Sequence, residues 1–273
     1  MQCGTGGRGI ITADLWQASA FRPGAPPLSA THPFQQDCPR GLVSAALGPG
    51  EAPGWLAGQD AGMPDAERLI RSLRGQPLLI VLRPAEPLQA VPTLERLQAL
   101  GLRHVEIAWQ PQPHWAEQMA ELVRRFSDLE LGAASVCQPQ GVADAAAAGC
   151  RYAVSPVFDS TLLQEAARAD LVLVPGVMSP SEVHHARQLG CGIVKLFPAV
   201  SVGIDHWRRL REPLGAPLPF CIAAGGLKPA DVGPWLDGDV DAVALGSGLG
   251  GLADEPWREL LAALECRTNP SVT

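Results

Sequence analysis

Gly192-Ile193-Val194-Lys195-Leu196-Phe197-Pro198-Ala199 is a short apolar run closed by a proline, the pattern of a buried strand. A lysine stands in its middle. The 273-residue chain has only two lysines, Lys195 and Lys228, so its positive charge is mostly arginine. An ammonium is costly to bury among Ile, Val, Leu and Phe, and desolvation lowers a lysine pKa. A free lysine near pKa ~10.4 offers roughly one neutral amine in a few thousand at neutral pH. A lysine with a lowered pKa attacks carbonyl carbons and forms Schiff bases. The same position also suits a lysine at a strand end whose ammonium reaches water, so the run alone leaves both readings open.

Outward from this run, the pattern on both sides alternates strand and helix. A short amphipathic helix leads, from Pro64 to about Leu73. Strands follow at 77–83, 103–109, 129–136, 152–155, 171–174, 192–197, 220–224 and 240–245. Helical spacing separates them, at 86–100, 114–126, 139–148, 160–169, 179–189, 204–211, 228–236 and 255–264. Ser179-Pro180-Ser181-Glu182 reads as a capped helix start, and Gly101, Gly149 and Gly190 read as stops. Strands alternating with helices imply a parallel sheet. Eight such units in about 200 residues suit an α/β TIM (β/α)8 barrel with a leading N-terminal helix. A doubly wound open sheet is the second choice, but the G-x-G-x-x-G turn it often carries after its first strand is missing.

Residues 1–62 differ. They are rich in Gly, Pro and Ala and show no sustained period, as in Phe21-Arg22-Pro23-Gly24-Ala25-Pro26-Pro27. They read as a disordered extension, or as residues upstream of a true start at Met63. The barrel is expected over 63–273. A net charge of −7 gives no support to a nucleic-acid partner. No apolar run approaches the ~20 residues of a membrane span, and the N-terminus lacks a signal-peptide layout. The seven cysteines are scattered without a C-x-x-C pair. They read as reduced thiols of a cytoplasmic protein with no zinc site.

A TIM barrel carries its chemistry at the C-terminal ends of its strands, and side chains alternate between interior and helix layer. Ile193, Lys195 and Phe197 share one face of their strand. His104, Glu106 and Ala108 share another, with Val105, Ile107 and Trp109 as the apolar helix-facing set, so Glu106 should point inward. Leu79, Val81 and Arg83 form a third inward set, and Leu131, Ala133 and Ser135 a fourth. Lysine, carboxylate, hydroxyl and guanidinium would then converge on one cavity. Gly225-Gly226 and Gly246-Ser247 follow the seventh and eighth strands, where this fold binds phosphate; glycine lets backbone N–H groups approach an anion. Blander readings stand beside these. Glu106 could be a salt-bridge partner, Ser135 a small core filler, Arg83 a solvated rim charge, and each glycine pair a turn.

Seven motifs, taken together and in this order, resemble the 2-keto-3-deoxy-6-phosphogluconate and 4-hydroxy-2-oxoglutarate aldolases. They are Val105-Glu106-Ile107, Gly132-Ala133-Ala134-Ser135-Val136, Ser155-Pro156, Val174-Pro175-Gly176-Val177, Val194-Lys195-Leu196-Phe197-Pro198-Ala199, Gly225-Gly226 and Gly246-Ser247. The resemblance covers about Met63 to Cys266. It implies a class I aldolase that cleaves a 2-oxo-4-hydroxy acid to pyruvate and an aldehyde. Lys195 would form the Schiff base and Glu106 would shuttle protons. Ser135 would bind the pyruvate carboxylate and Phe197 would line the pocket. Gly225, Gly226, Gly246 and Ser247 would hold a substrate phosphate. It also implies a homotrimer with no cofactor and no metal.

The chain departs from that pattern at Gln110, where the family usually supplies a carboxylate-clamping arginine. Glutamine offers no charged bidentate fork, and Arg83 is the candidate to compensate. Two other activities fit the same residues. One is decarboxylation of oxaloacetate, which leaves the same pyruvate enamine; the other is a phosphate-ligand-binding barrel with little catalysis.

Overall fold

The structure is a computed structural model; it describes residues 65–246 and 253–268. The expectations for residues 1–62 and for Ser247 lie outside the described residues.

The elements run α1 (Asp65–Gly75), β1 (Leu78–Leu82), α2 (Val91–Ala99), β2 (His104–Ala108), α3 (Trp115–Arg125), β3 (Glu130–Ala134), α4 (Pro139–Ala147), β4 (Tyr152–Val154) and α5 (Ser160–Arg168). Then follow β5 (Val172–Val174), β6 (Gly176–Val177), α6 (Pro180–Gln188), β7 (Ile193–Leu196), α7 (Ala199–Val202), α8 (His206–Leu214), β8 (Phe220–Ala224), α9 (Val232–Asp237), β9 (Ala242–Leu245) and α10 (Asp254–Thr268). Every strand pairing is parallel, and the order is β5-β4-β3-β2-β1-β9-β8-β7-β6.

The fifth expected strand, 171–174, is β5; beyond Pro175, which has no N–H to give to a ladder, the chain continues as a two-residue β6 that was not expected. β5 pairs with β4 and β6 pairs with β7. The Pro175 carbonyl between them accepts from the Lys195 N–H at 2.9 Å. β5 and β6 therefore serve the two ends of the sheet and close the TIM barrel.

Local chemistry explains the element boundaries. Ser179 and Glu182 form a reciprocal capping box on α6: the Ser179 N–H donates to Glu182 Oε2 at 2.7 Å and the Glu182 N–H to Ser179 Oγ at 3.3 Å. Gly190 ends that helix at φ 76°, a conformation glycine adopts at no steric cost. The expected helix at 86–100 is split: a 3-10 turn at Pro87–Ala90 precedes α2. The short α7, directly after the lysine strand, was not expected from the sequence.

Two apolar cores result. The larger fills the layer between strands and helices and includes Ile80, Val105, Ile107, Leu131, Ala133, Val194 and Val243. The smaller fills the barrel interior with Leu79, Val81, Ala134, Tyr152, Val154, Ile193, Phe220, Ile222, Ala242 and Ala244, closed below by Leu69 and Leu73 of α1. This corrects one expectation. Leu131 and Ala133 face the helices, while Ala134 belongs to the interior, so β3 runs in the opposite phase to the one anticipated. Ser135 lies beyond the strand end at φ 61°, where alternation no longer applies.

Candidate active site

Among the described residues, four polar or charged side chains are buried: His104, Glu106, Ser155 and Lys195. Lys195 and Glu106 are the two that carry formal charge at neutral pH, and they are 4 % and 1 % exposed. Both stand on the interior faces of their strands, as alternation required. Lys195 lies between Gly176 of β6 and Ile222 of β8 in the register. Gly176 has no side chain to crowd it, and a Cβ there would meet Pro156 backbone atoms at 2.3 Å. The Lys195 ammonium is 5.0 Å from the centre of the Phe197 ring, within cation–π range.

Burial pushes the Lys195 amine below the ordinary lysine range; Glu106 opposes that shift and Arg83 adds to it. Burial pushes the Glu106 carboxyl up to about 7, against the pull of Lys195 and Arg83. Burial thus drives both groups toward their uncharged forms, a neutral amine beside a protonated acid, while their mutual attraction resists. A lysine and a carboxyl poised this way can exchange a proton at neutral pH, and the neutral amine is a nucleophile.

The remaining predicted residues form the rim. Arg83 is exposed, yet its charge acts on both Lys195 and Glu106. Its Nη1 lies 3.2 Å from where a Cβ on Gly246 would be, so the guanidinium stands next to the loop after β9. Gly225 has φ 98°, and a Cβ there would lie 2.9 Å from the Phe197 ring. A Cβ on Gly226 would lie 2.6 Å from Val200 Cγ1. The glycine pair is therefore required by close packing on β7 and α7, whatever it binds. Ser135 is half-buried at the end of β3. Gln110 is exposed, and its side-chain amide donates to the Pro84 carbonyl at 3.5 Å, a long contact that leaves it at the edge of the mouth.

Three residues near the pair were not singled out as site residues from sequence. Ser155 is buried and its Oγ accepts from the Val157 N–H at 3.2 Å. Cys137 is exposed after β3, where its thiol interacts with Ser155 and feels the charge of Lys195. Tyr152 on β4 is fully buried inside the barrel. The alternation of Tyr152 with Val154 was the available signal for the last. The first two follow strand ends, where alternation gives none. No cluster of His, Cys, Asp or Glu fit to hold a metal ion occurs among the described residues. No helix among them is long and apolar enough to cross a membrane.

Comparison with known proteins gives the relatives of the chain. The family model described as KDPG and KHG aldolase matches residues 69–260. The 2-dehydro-3-deoxy-6-phosphogalactonate aldolase of Escherichia coli strain K12 is 28% identical over 174 residues, 63% of this chain and 84% of that protein. The 2-dehydro-3-deoxy-phosphogluconate aldolase of Dickeya dadantii strain 3937 is 30% identical over 137 residues, 50% of this chain and 63% of that protein. Among solved structures, the KDPG aldolase of Legionella pneumophila with pyruvate captured at low pH as a covalent carbinolamine intermediate aligns with a TM-score of 0.60 at 25% identity. That alignment covers 76% of this chain and 98% of that one.

Proposed function

From the premise that this chain belongs to the KDPG and KHG aldolase family, and is thus a carbon–carbon lyase, we propose that it cleaves a 2-oxo-4-hydroxy acid to pyruvate and an aldehyde through a Schiff base on Lys195. The observation that carries the reading is the pair itself: a buried lysine and a buried carboxyl stand on the interior faces of their strands, and each acts on the ionisation of the other.

The steps follow from the chemistry of the pair. The neutral Lys195 amine adds to the C2 carbonyl of the substrate, giving a carbinolamine. Glu106, as the acid, protonates the carbinolamine hydroxyl, which leaves as water and gives a protonated imine, an electron sink. Glu106, as carboxylate, takes the proton from the C4 hydroxyl. The C3–C4 bond breaks, its electron pair passes to the iminium nitrogen as an enamine, and the aldehyde departs. Glu106 returns the proton to C3, making the methyl group, and water releases pyruvate and the free amine. A carboxyl held at about 7 suits a group that both accepts and donates in one turnover.

Around the pair, Phe197 lines the pocket and Ser135 takes the pyruvate carboxylate. Gly225, Gly226, Gly246 and Ser247 hold a phosphate, with Arg83 beside Gly246 as the mouth's cation. The galactonate and gluconate names of the relatives make six-carbon phosphorylated acids of either configuration the first substrates to try. Oxaloacetate remains a second substrate, because its decarboxylation leaves the same pyruvate enamine. A homotrimer is part of this reading. Val157, Met178 and Val200, which follow β4, β6 and β7, are 47 %, 43 % and 60 % exposed apolar side chains that such an assembly would cover, and sedimentation tests it.

The decisive experiment is borohydride reduction in the presence of pyruvate. Wild type should gain one irreversible adduct on Lys195, and Lys195→Ala should gain none. An adduct on Lys228, or none in wild type, would overturn the assignment. A panel of phosphorylated and unphosphorylated 2-oxo acids then selects the substrate.

A further inference from the structure

Tyr152 is the chain's only tyrosine, and it is spent inside the barrel. It is fully buried, and its hydroxyl has no hydrogen-bond partner among the described residues. A buried tyrosine normally places its O–H on a partner, and a phenylalanine would fill the same space without one. Glu106 presents the complementary orphan: its Oε2 is buried and also without a partner.

The two orphans are joined by register. Glu106 of β2 pairs with Gly132 of β3, and Gly132 pairs with Tyr152 of β4. Two strand spacings separate their backbones by about 9.5 Å. Between them Gly132 has no side chain, and the hydroxyl-bearing end of the Tyr152 ring occupies that space. Cε2 and Cζ both lie 2.6 Å from where a Gly132 Cβ would be. The ring therefore lies across β3 and brings its hydroxyl within one strand of Glu106, whose charge it feels.

We propose that Tyr152 is a positioning residue for Glu106, its hydroxyl donating through one bridging water molecule to Oε2. This rests on the aldolase reading above. A donor on Oε2 fixes the carboxylate's rotation and favours its charged form, which is the form that takes the proton from the C4 hydroxyl. Other groups act on the same carboxylate. Lys195 from β7 and Arg83 beyond β1 favour its charge, and His104 stands two residues below on its own strand face. Glu130 at the start of β3 and Cys150 before β4 act on the tyrosine.

Tyr152→Phe keeps the ring and removes only the hydroxyl, so a purely structural role would leave every readout unchanged. The expected result is a fall in kcat of about tenfold, a fraction of the roughly 10²–10⁴ that general acid–base catalysis supplies, with little change in KM or melting temperature. The Glu106 ionisation in the pH–rate profile should move upward. A superimposable profile and kcat would overturn the proposal. A second measurement stands even where the variant fails to fold. Wild type labelled with [13Cζ]tyrosine gives a single tyrosine resonance. It should shift with pH as Glu106 ionises, and that step should vanish in Glu106→Gln; a resonance flat through that ionisation would overturn the proposal. Wild type that forms no pyruvate adduct would instead sink the aldolase reading, which the resonance does not depend on.

Discussion

His104 and Glu106 are two residues apart on the same inward face of β2, and they live under different rules. His104, at the end closed by α1, has Ser72 Oγ 2.8 Å from its Nε2. Burial drives its pKa down to about 4, so it is a neutral, hydrogen-bonded imidazole at neutral pH. Glu106, one step toward the open end, has an unpartnered oxygen and a carboxyl raised to about 7. Below, burial settles the titratable group in one state. Above, burial competes with Lys195 and Arg83 and leaves the group balanced between two. The lower end is built for stability and the upper end for reactivity, within the length of one strand.

The strongest way to break that contrast is Lys195→Met. A buried amine replaced by an apolar side chain of similar length removes a desolvation cost. Without the amine Glu106 loses a stabilising charge and takes the protonated, uncharged form. Turnover should vanish, while the melting temperature holds or rises. A large drop in melting temperature would mean that the lysine supports the fold, and the upper end would then be no different from the lower.

The pH dependence of stability separates the two groups. Glu106 titrates near 7 in the folded chain, against 4.5 unfolded. Between those values the folded state holds the extra proton, so this carboxyl makes stability fall as pH rises from about 4.5 to 7, by on the order of 3 kcal/mol in all. His104 has the opposite sign. Its folded pKa of about 4 lies below the unfolded 6.5, so its contribution is present above 6.5 and is lost as pH falls toward 4. The two slopes oppose one another between 4.5 and 6.5. Glu106→Gln removes one of them. The variant-minus-wild-type difference in unfolding free energy, from urea titrations at several pH values, should rise from pH 4.5 to 7. A flat difference would mean that Glu106 titrates like an exposed glutamate.

Much of this is legible in the sequence alone. The unit count and parallel sheet followed from the alternation of apolar runs with helical spacing. Counting in twos places Lys195 and Glu106 inward along β7 and β2, while Arg83, expected inward by the same count, lies exposed past the end of β1. The count failed on β3, where Gly132-Ala133-Ala134-Ser135 offers only small residues and neither phase is marked by a large apolar side chain. That same ambiguity hid Tyr152, because its space is created by Gly132 facing inward. The glycine pair serving Phe197 and Val200 as much as any ligand depends on contacts between distant segments.

Gln110 tests how far the reactive end extends. It sits on the rim with a long contact to Pro84, and a neutral amide holds a carboxylate about half as strongly as a charged donor does. Gln110→Arg should lower KM for pyruvate-forming 2-oxo acids by about 1–2 kcal/mol, and Arg83→Ala should raise it. Silence from both variants would put the substrate carboxylate elsewhere, with Ser135 as the remaining candidate from the predicted set.

At the closed end the expected effect is on stability, with none on turnover. Ser72 and His104 lie on α1 and β2, so their 2.8 Å contact ties the plugging helix to the barrel wall. Ser72→Ala removes one hydroxyl and takes from His104 Nε2 the partner it has at 2.8 Å. Loss of one neutral hydrogen bond, with the desolvation of the group left behind, costs about 1–3 kcal/mol. Urea unfolding should register that loss. Steady-state kinetics at saturating substrate should not, because Leu79, Ile193 and Phe220 fill the interior above α1 and hold the upper strands in place. A fall in kcat comparable to the stability loss would show that the plug transmits to Glu106 through β2, and the two ends of that strand would have to be treated as one coupled unit.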